Sequence, residues 1–431
     1  MMKWLFSLLL GLFAATVSAE GGPLVIRITQ GVAGALPIAI VPFEWGGSPL
    51  PEDVAQVVAN DLTRSGRFNP MPRQDLPSKP STVEQVNFKE WRAVGQDNLV
   101  FGRIVETADG GYMVEFRLMD VFTGKQLAGF QVPAHKTTLR LAAHQISDII
   151  FKTLLNMPGA FSTRIAYVTV QRQDAKRATY RLQVADADGY DAKTVLESPQ
   201  PLLSPSWSPD GNRLAYVSFE EKNSAIYVQD LRTGQREKVV SGAGINSAPA
   251  FSPDGRRLAV TRSMDGNPDI YVVDIATRQQ TRLTSHEAID TEPSWAPDGS
   301  AIVFTSDRSG GPQIYRVSPA GGEARRVTFN MGNYNSRASY SPDGKSLVVV
   351  NGGRGFRIAV LDLKSGTSRT LTSANLDESP SFAPNGSMII YATMAGRGTE
   401  LAAISVDGSI KQRLAVQQGE VREPAWGPFR Q

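Results

Sequence analysis

The chain has 431 residues, with 45 Lys and Arg against 42 Asp and Glu, three His and no Cys. Charge this balanced gives no basic surface for nucleic acid, and the lack of Cys excludes disulfide frameworks, thiolate metal sites and thiol nucleophiles. With 41% hydrophobic residues, 39 Gly and 27 Pro, the composition fits a folded, turn-rich chain that buries a core.

Lys3 precedes an apolar run over residues 4–15, followed by Val17-Ser18-Ala19. A positive start, an apolar stretch and a small-x-Ala ending read as an export signal over residues 1–19, cut between Ala19 and Glu20. The run is shorter than the roughly 20 apolar residues a membrane span needs, and no later stretch approaches that length. An exported chain without membrane insertion is expected.

Residues 20–157 read as an α/β domain. Leu24, Val25, Ile26, Arg27 and Ile28 form one strand pattern, and residues 38–43 a second. Pro51 then opens a helix that places Val54, Val57, Val58 and Leu62 on one face and stops at Gly66. Two apolar runs over residues 98–105 and 112–118 flank Asp109-Gly110-Gly111, a hairpin signal. A second helix over residues 141–155 carries Ile146, Ile149, Ile150 and Leu154. Pro158-Gly159 opens a linker over residues 158–163.

From residue 164 onward one unit recurs six times. Its copies include Pro205-Ser206-Trp207-Ser208-Pro209-Asp210-Gly211 and Pro293-Ser294-Trp295-Ala296-Pro297-Asp298-Gly299, and its aromatics stand at 207, 251, 295, 340, 382 and 426. Ser-Pro-Asp-Gly supplies the residue choices of a type I turn between two strands. Four short strands per unit of about 44 residues mean propeller blades. Trp426 lies too near the C-terminus for following strands, and the missing ones stand at residues 164–168 and 181–186. The fold class expected is therefore a small α/β sandwich followed by a six-bladed β-propeller, residues 164–431, closed by N- and C-terminal strands together.

Little chemistry is on offer. There is no Gly-x-Ser-x-Gly elbow, His135, His144 and His286 are scattered, and Gly352-Gly353-Arg354-Gly355 fits a turn better than a phosphate loop. Asp186, Asp188 and Asp191 faintly resemble a calcium loop, but a turn between the third and fourth strands explains them more simply. No enzyme activity, cofactor or metal is expected.

Comparing the six copies separates what the scaffold dictates from what it leaves free. Three residues before the aromatic stand Ser204, Ala248, Glu292, Arg337, Ser379 and Glu423. Four before it stand Leu203, Ser247, Thr291, Ser336, Glu378 and Arg422. Placed on loops entering the innermost strands, these would ring one mouth of the channel, a set of small, hydroxyl and charged groups suited to docking a peptide or protein loop. Asp290, Glu292, Asp377, Glu378 and Glu423 also offer carboxylates for a cation there.

An export signal, an α/β domain and a six-bladed propeller of Pro-Ser-Trp-Ser-Pro-Asp-Gly repeats together resemble the TolB family, periplasmic proteins of the Tol–Pal system. The most specific stretches are residues 38–43, 161–168 and 291–295. The resemblance implies a monomeric, non-catalytic adaptor. It would bind the lipoprotein Pal at the propeller mouth and the inner-membrane protein TolA through its N-terminal segment, for outer-membrane integrity and constriction at division; colicins exploit the system. By position, Ala248, Thr291 and Glu292 match family contacts to Pal, with Ser204, Ser336, Glu378 and Glu423 completing the ring. Leu24, Val25, Ile26, Arg27 and Ile28 match the TolA-binding stretch. Two departures stand out: Glu20-Gly21-Gly22-Pro23 precede that stretch, and Ile245 occupies a mouth position where the family leads one to expect a polar residue. A periplasmic propeller hydrolase or lactonase, and a solitary peptide-binding propeller, are the competing readings.

Overall fold

A computed structural model describes residues 26–30, 34–174, 177–264, 266–373, 376–396, 398–414 and 419–430. Residues 1–25, with Ala19, Glu20, Leu24 and Val25, lie outside the described residues. Strands β2 (Leu36–Ile40), β3 (Phe68–Pro70), β4 (Asn98–Glu106), β5 (Tyr112–Asp120) and β6 (Gln126–Ala134) form one sheet in the order β3-β2-β4-β5-β6. Helices α1 (Val54–Arg64) and α3 (Leu139–Leu155) cover one face, burying Ile38, Val58, Leu62, Val100, Leu118, Ile146 and Ile150. The short α2 (Phe88–Ala93) closes part of the other with Trp91 against Leu99 and Phe101.

Helix α1 begins at Val54, not at Pro51, because the Asp53 side chain accepts the N–H of Gln56 at 3.0 Å and so satisfies an orphan donor of the first turn. Gly66, at φ 64°, follows its last turn as expected. Strand β6 and α2 escape the sequence pattern. β6 is an edge strand whose residues are mostly exposed, and α2 buries only Trp91.

Six sheets make the propeller, five of four strands and one of five. Their innermost strands are Glu420–Trp426 (blade I), Leu202–Trp207 (II), Asn246–Phe251 (III), Asp290–Trp295 (IV), Tyr334–Tyr340 (V) and Asp377–Phe382 (VI). Blade I joins the C-terminal strand to β7 (Arg164–Arg172), β8 (Ala178–Asp186) and β9 (Lys193–Ser198), with Trp426 opposite Ile165 and Val421 opposite Thr169. The expected closure by strands from both parts of the chain is present.

The repeated aromatic has a physical role at three blade boundaries. Arg164 lies over the Trp207 ring at 5.0 Å, Arg213 over Phe251 at 5.4 Å and Arg257 over Trp295 at 5.1 Å. Arg164 and Arg213 each also donate to the carbonyl of the next blade's turn glycine, Gly211 at 2.5 Å and Gly255 at 2.9 Å. Each cation–π contact ties one blade to the next.

Strand β1 (Ile26–Gln30) is not on the α/β sheet. Its backbone runs antiparallel to Lys411–Leu414, the outer strand of blade VI, with Arg27 opposite Arg413. It covers an edge that would otherwise present unpaired backbone groups.

Two outcomes are expected of variants. Phe304, fully buried between blades, should cost about 3–5 kcal/mol when changed to Ala, read as a lower urea midpoint with an unchanged slope. A chain ending at residue 419 lacks the innermost strand of blade I and should melt without a cooperative transition while aggregating through the bared β7, followed by calorimetry and size-exclusion chromatography.

Candidate functional site

In each antiparallel blade, the start of the innermost strand, the turn between second and third strands and the connection to the next blade lie at one end of the channel. The other two turns lie at the opposite end. The α/β domain sits at that opposite end: Asn385 donates to the Pro158 carbonyl at 2.9 Å, Gln412 to that of Arg64, and Arg67 pairs with Asp407 at 3.5 Å. The mouth is left open.

Ser204, Ala248, Glu292, Arg337, Ser379 and Glu423 do line the channel, a cavity of about 320 Å³, but they are not loop residues. Each lies within its innermost strand at a β-bulge, where two residues face one on the partner strand: Leu203 pairs with Val217 and Ser206 with Ala215. The same shift recurs in blades III to VI and I. All six have φ between 50° and 56°, the left-handed region that costs an L residue about 1–2 kcal/mol. Proline is tolerated in a strand at a bulge, which accounts for Pro205, Pro249, Pro293, Pro380 and Pro424. The bulge turns these side chains into the channel. Thr291, Ser336 and Glu378, one residue earlier, pair opposite Thr305, Val350 and Ala392 and are not among the channel-lining residues.

The charged members bind one another. Arg337 donates from Nε to Glu292 Oε1 at 2.8 Å and from Nη2 to Glu423 Oε1 at 3.3 Å, and it also reaches Ser379 Oγ. The second Glu292 oxygen accepts the Arg337 N–H at 3.0 Å and the Thr305 hydroxyl at 2.9 Å, while the Ser204 N–H donates to Glu423. Burial opposes the charge on Arg337, but Glu423 and then Glu292 outweigh it and hold the guanidinium ionised. One arginine thus links blades IV, V, VI and I across the channel. Four of the five carboxylates expected to suit a cation have other partners: besides Glu292 and Glu423, Arg308 binds both oxygens of Asp290 at 2.9 and 2.7 Å, and Thr393 donates to Asp377 at 2.6 Å.

What the sequence reading missed is the apolar rim. Eight large hydrophobic side chains are exposed among the described residues of the propeller, and six of them stand at the open end: Ile245, Met264, Ile289, Phe329 and Leu376 between strands, and Met394 near the end of the second strand of blade VI. Ile245, unexpected as a lone residue, belongs to this set. Each is a single apolar residue without periodicity, so only the blade topology brings them to one end.

The chain matches the model of the TolB beta propeller domain over residues 151–430 and that of the TolB amino-terminal domain over residues 24–127. It belongs to the TolB family. The Tol-Pal system protein TolB of Thioalkalivibrio sulfidiphilus is 57% identical over 433 residues, covering 100% of this chain and 99% of that protein. The protein of the same name from Xanthomonas oryzae pv. oryzae is 54% identical over 434 residues, covering 100% and 98%. The crystal structure of TolB from Acinetobacter baumannii is 44% identical and superposes with a TM-score of 0.87, over 94% of this chain and 100% of that one. The α/β domain followed by a six-bladed propeller is thus the TolB architecture.

The remaining candidate loop, with Asp186, Asp188 and Asp191, meets the α/β domain. Asp188 takes Arg140 and the Tyr190 N–H, and Asp186 takes Arg430. Of these contacts the Arg140–Asp188 ion pair joins the domains, while the Arg430–Asp186 pair lies within the propeller. Asp61, His144 and Asp188 have polar atoms within 4.8 Å of one another, but Arg64 and Arg140 already neutralise the two carboxylates at 3.1 Å or less.

Two experiments test the bulge and its ion pairs. Ala248→Gly relieves a left-handed Ala and should raise stability by up to about 1 kcal/mol in urea titrations. A double-mutant cycle on Glu292→Gln and Arg337→Met should return a coupling of about 1 kcal/mol or more, since the pair is half-buried and charge-assisted.

Proposed function

We propose that this chain is a non-catalytic periplasmic adaptor of the Tol–Pal system. Its open propeller end binds the outer-membrane lipoprotein Pal, with Ala248, Thr291, Glu292, Ser204, Ser336, Glu378 and Glu423 in or beside the contact, and residues 24–28 bind TolA. Residues 1–19 direct export and are removed at Ala19. The work done is maintenance of the outer membrane and its constriction at division.

One observation carries this reading. The open end combines a polar, charge-paired channel with an exposed apolar rim, while the α/β domain occupies the other end. Apolar anchors around a polar centre are the composition of a protein-docking face. The channel wall suits insertion of a loop, because its arginine and glutamates are held in place by one another. Neither carboxylate in the wall is free to act as a base. The β1 segment, whose backbone pairs at a sheet edge, can exchange that edge for another strand's, a mode of recognition by strand addition.

Calorimetric titration with the soluble domain of Pal from the same organism checks the assignment. Wild type should bind, and Ile289→Asp and Glu292→Ala should each weaken binding more than tenfold, about 1.4 kcal/mol. Ile289 is half exposed, so its variant leaves folding intact and reads the surface alone. Absence of wild-type binding would refute the adaptor reading, and binding untouched by both substitutions would move the site away from this end.

A further inference from the structure

The boundary between the two domains contains a buried histidine that the adaptor reading does not use. His144 on α3 is fully buried. Its Nδ1 lies 2.7 Å from Asp61 Oδ2 on α1, within the same domain. Its Nε2 points the other way, across the boundary, to 3.9 Å from Asp186 Oδ2 and 3.9 Å from Asp188 Oδ2, which belong to β8 and the turn after it in the propeller. That nitrogen is buried without a hydrogen-bond partner.

A neutral imidazole is a poor occupant of this position. Carrying its proton on Nδ1 for Asp61, it would aim the Nε2 lone pair at two carboxylates in a site with little water. The imidazolium places an N–H there instead and attracts the carboxylates of both domains.

The surrounding charges are Glu52, Asp61 and Arg64 from the α1 side, Arg140 and Asp148 on α3, Asp186 and Asp188 on the propeller, and Arg430 at the chain end. Arg64 opposes a charge on His144, and burial opposes it more strongly; Asp61 and then Asp188 favour it. The balance raises the imidazole above its ordinary value of 6.5. Asp61 and Asp188 are held below the usual carboxylate range despite burial, which opposes their charge, by partners that include His144. Burial pushes Asp148 up, against the hydrogen bonds it accepts from Ser162 and from the Phe161 N–H at 2.7 Å.

We propose that His144 is a proton-operated latch between the domains: as imidazolium it bridges Asp61 to Asp186 and Asp188, and its deprotonation loosens the α/β domain from the propeller. A raised imidazole contributes its stabilisation fully below the ordinary value, and the contribution is lost as pH climbs through the higher folded-state value. The docked state is therefore the acidic-to-neutral one, and alkaline pH releases it. This inference stands independently of which partners bind the mouth.

Three histidines in the whole chain make the titration readable by imidazole nitrogen NMR on the full protein. His144 should retain both ring protons to a pH above the ordinary imidazole value of 6.5. In parallel, the absence of native Cys allows spin labels at Val94→Cys in the α/β domain and Lys345→Cys in the propeller. The interdomain distance should be narrow at pH 6 and broadened at pH 9 in wild type, and in His144→Gln equally broad at both. Asp188→Asn should bring the His144 titration back toward the ordinary value, and serves alone where His144→Gln does not fold. The latch is overturned by a His144 that titrates at or below the ordinary imidazole value of 6.5, by a distance distribution indifferent to pH, by a His144→Gln protein with the wild-type pH response, or by an Asp188→Asn titration that does not move.

Discussion

The antiparallel pairing of Glu420–Trp426 with β7 is the contact on which the rest of the fold depends. It joins the end of the chain to the first strand after the linker and converts a row of blades into a ring. Without it, Glu423 would not stand across the channel from Glu292, and Arg337 would have one carboxylate instead of two. The same sheet carries the β8–β9 turn that meets α3, so ring closure also fixes where the α/β domain sits. Trp426 marks the junction: its indole N–H donates to Thr163 Oγ1 at 2.9 Å, in the linker just before β7.

Inside the ring, the six bulges do what a regular strand cannot. Regular alternation would send every second side chain between blades, whereas the extra residue lets the third position face the channel while the strand continues to pair. The fold accepts the strain of a left-handed non-glycine six times over to place Ser, Ala, Glu, Arg, Ser and Glu around one axis. Strain that recurs at one position of every repeat belongs to the scaffold; the identity of the side chain is left for function.

The boundary between the domains is built differently from either core. Ion pairs and carbonyl acceptors cross it, including Arg140 with Asp188, Arg67 with Asp407 and Gln412 with Arg64. These contacts respond to charge, and β1, which leads into the α/β domain yet pairs with blade VI, adds a backbone tether across the boundary.

The repeat, its turns, the blade number and the closure were legible from the residues alone, because Ser-Pro-Asp-Gly turns and short apolar runs depend on nearest neighbours and six copies check one another. So were α1, α3 and the first hairpin, each carried by strong periodicity. Strand β6 was not, since an exposed edge has no pattern to betray it, and the first turn of α1 was set by the Asp53 cap where Pro51 had suggested an earlier start. Family membership rests on the same local motifs. What tertiary structure alone decided are the relations among distant residues: that positions 204 to 423 turn into a channel through bulges, that one arginine spans four blades, that lone apolar residues gather at the open end, and that β1 pairs with the propeller. These depend on pairing register and on which ends of strands coincide in space. Register is a cooperative property of whole sheets, and no short window of sequence contains it.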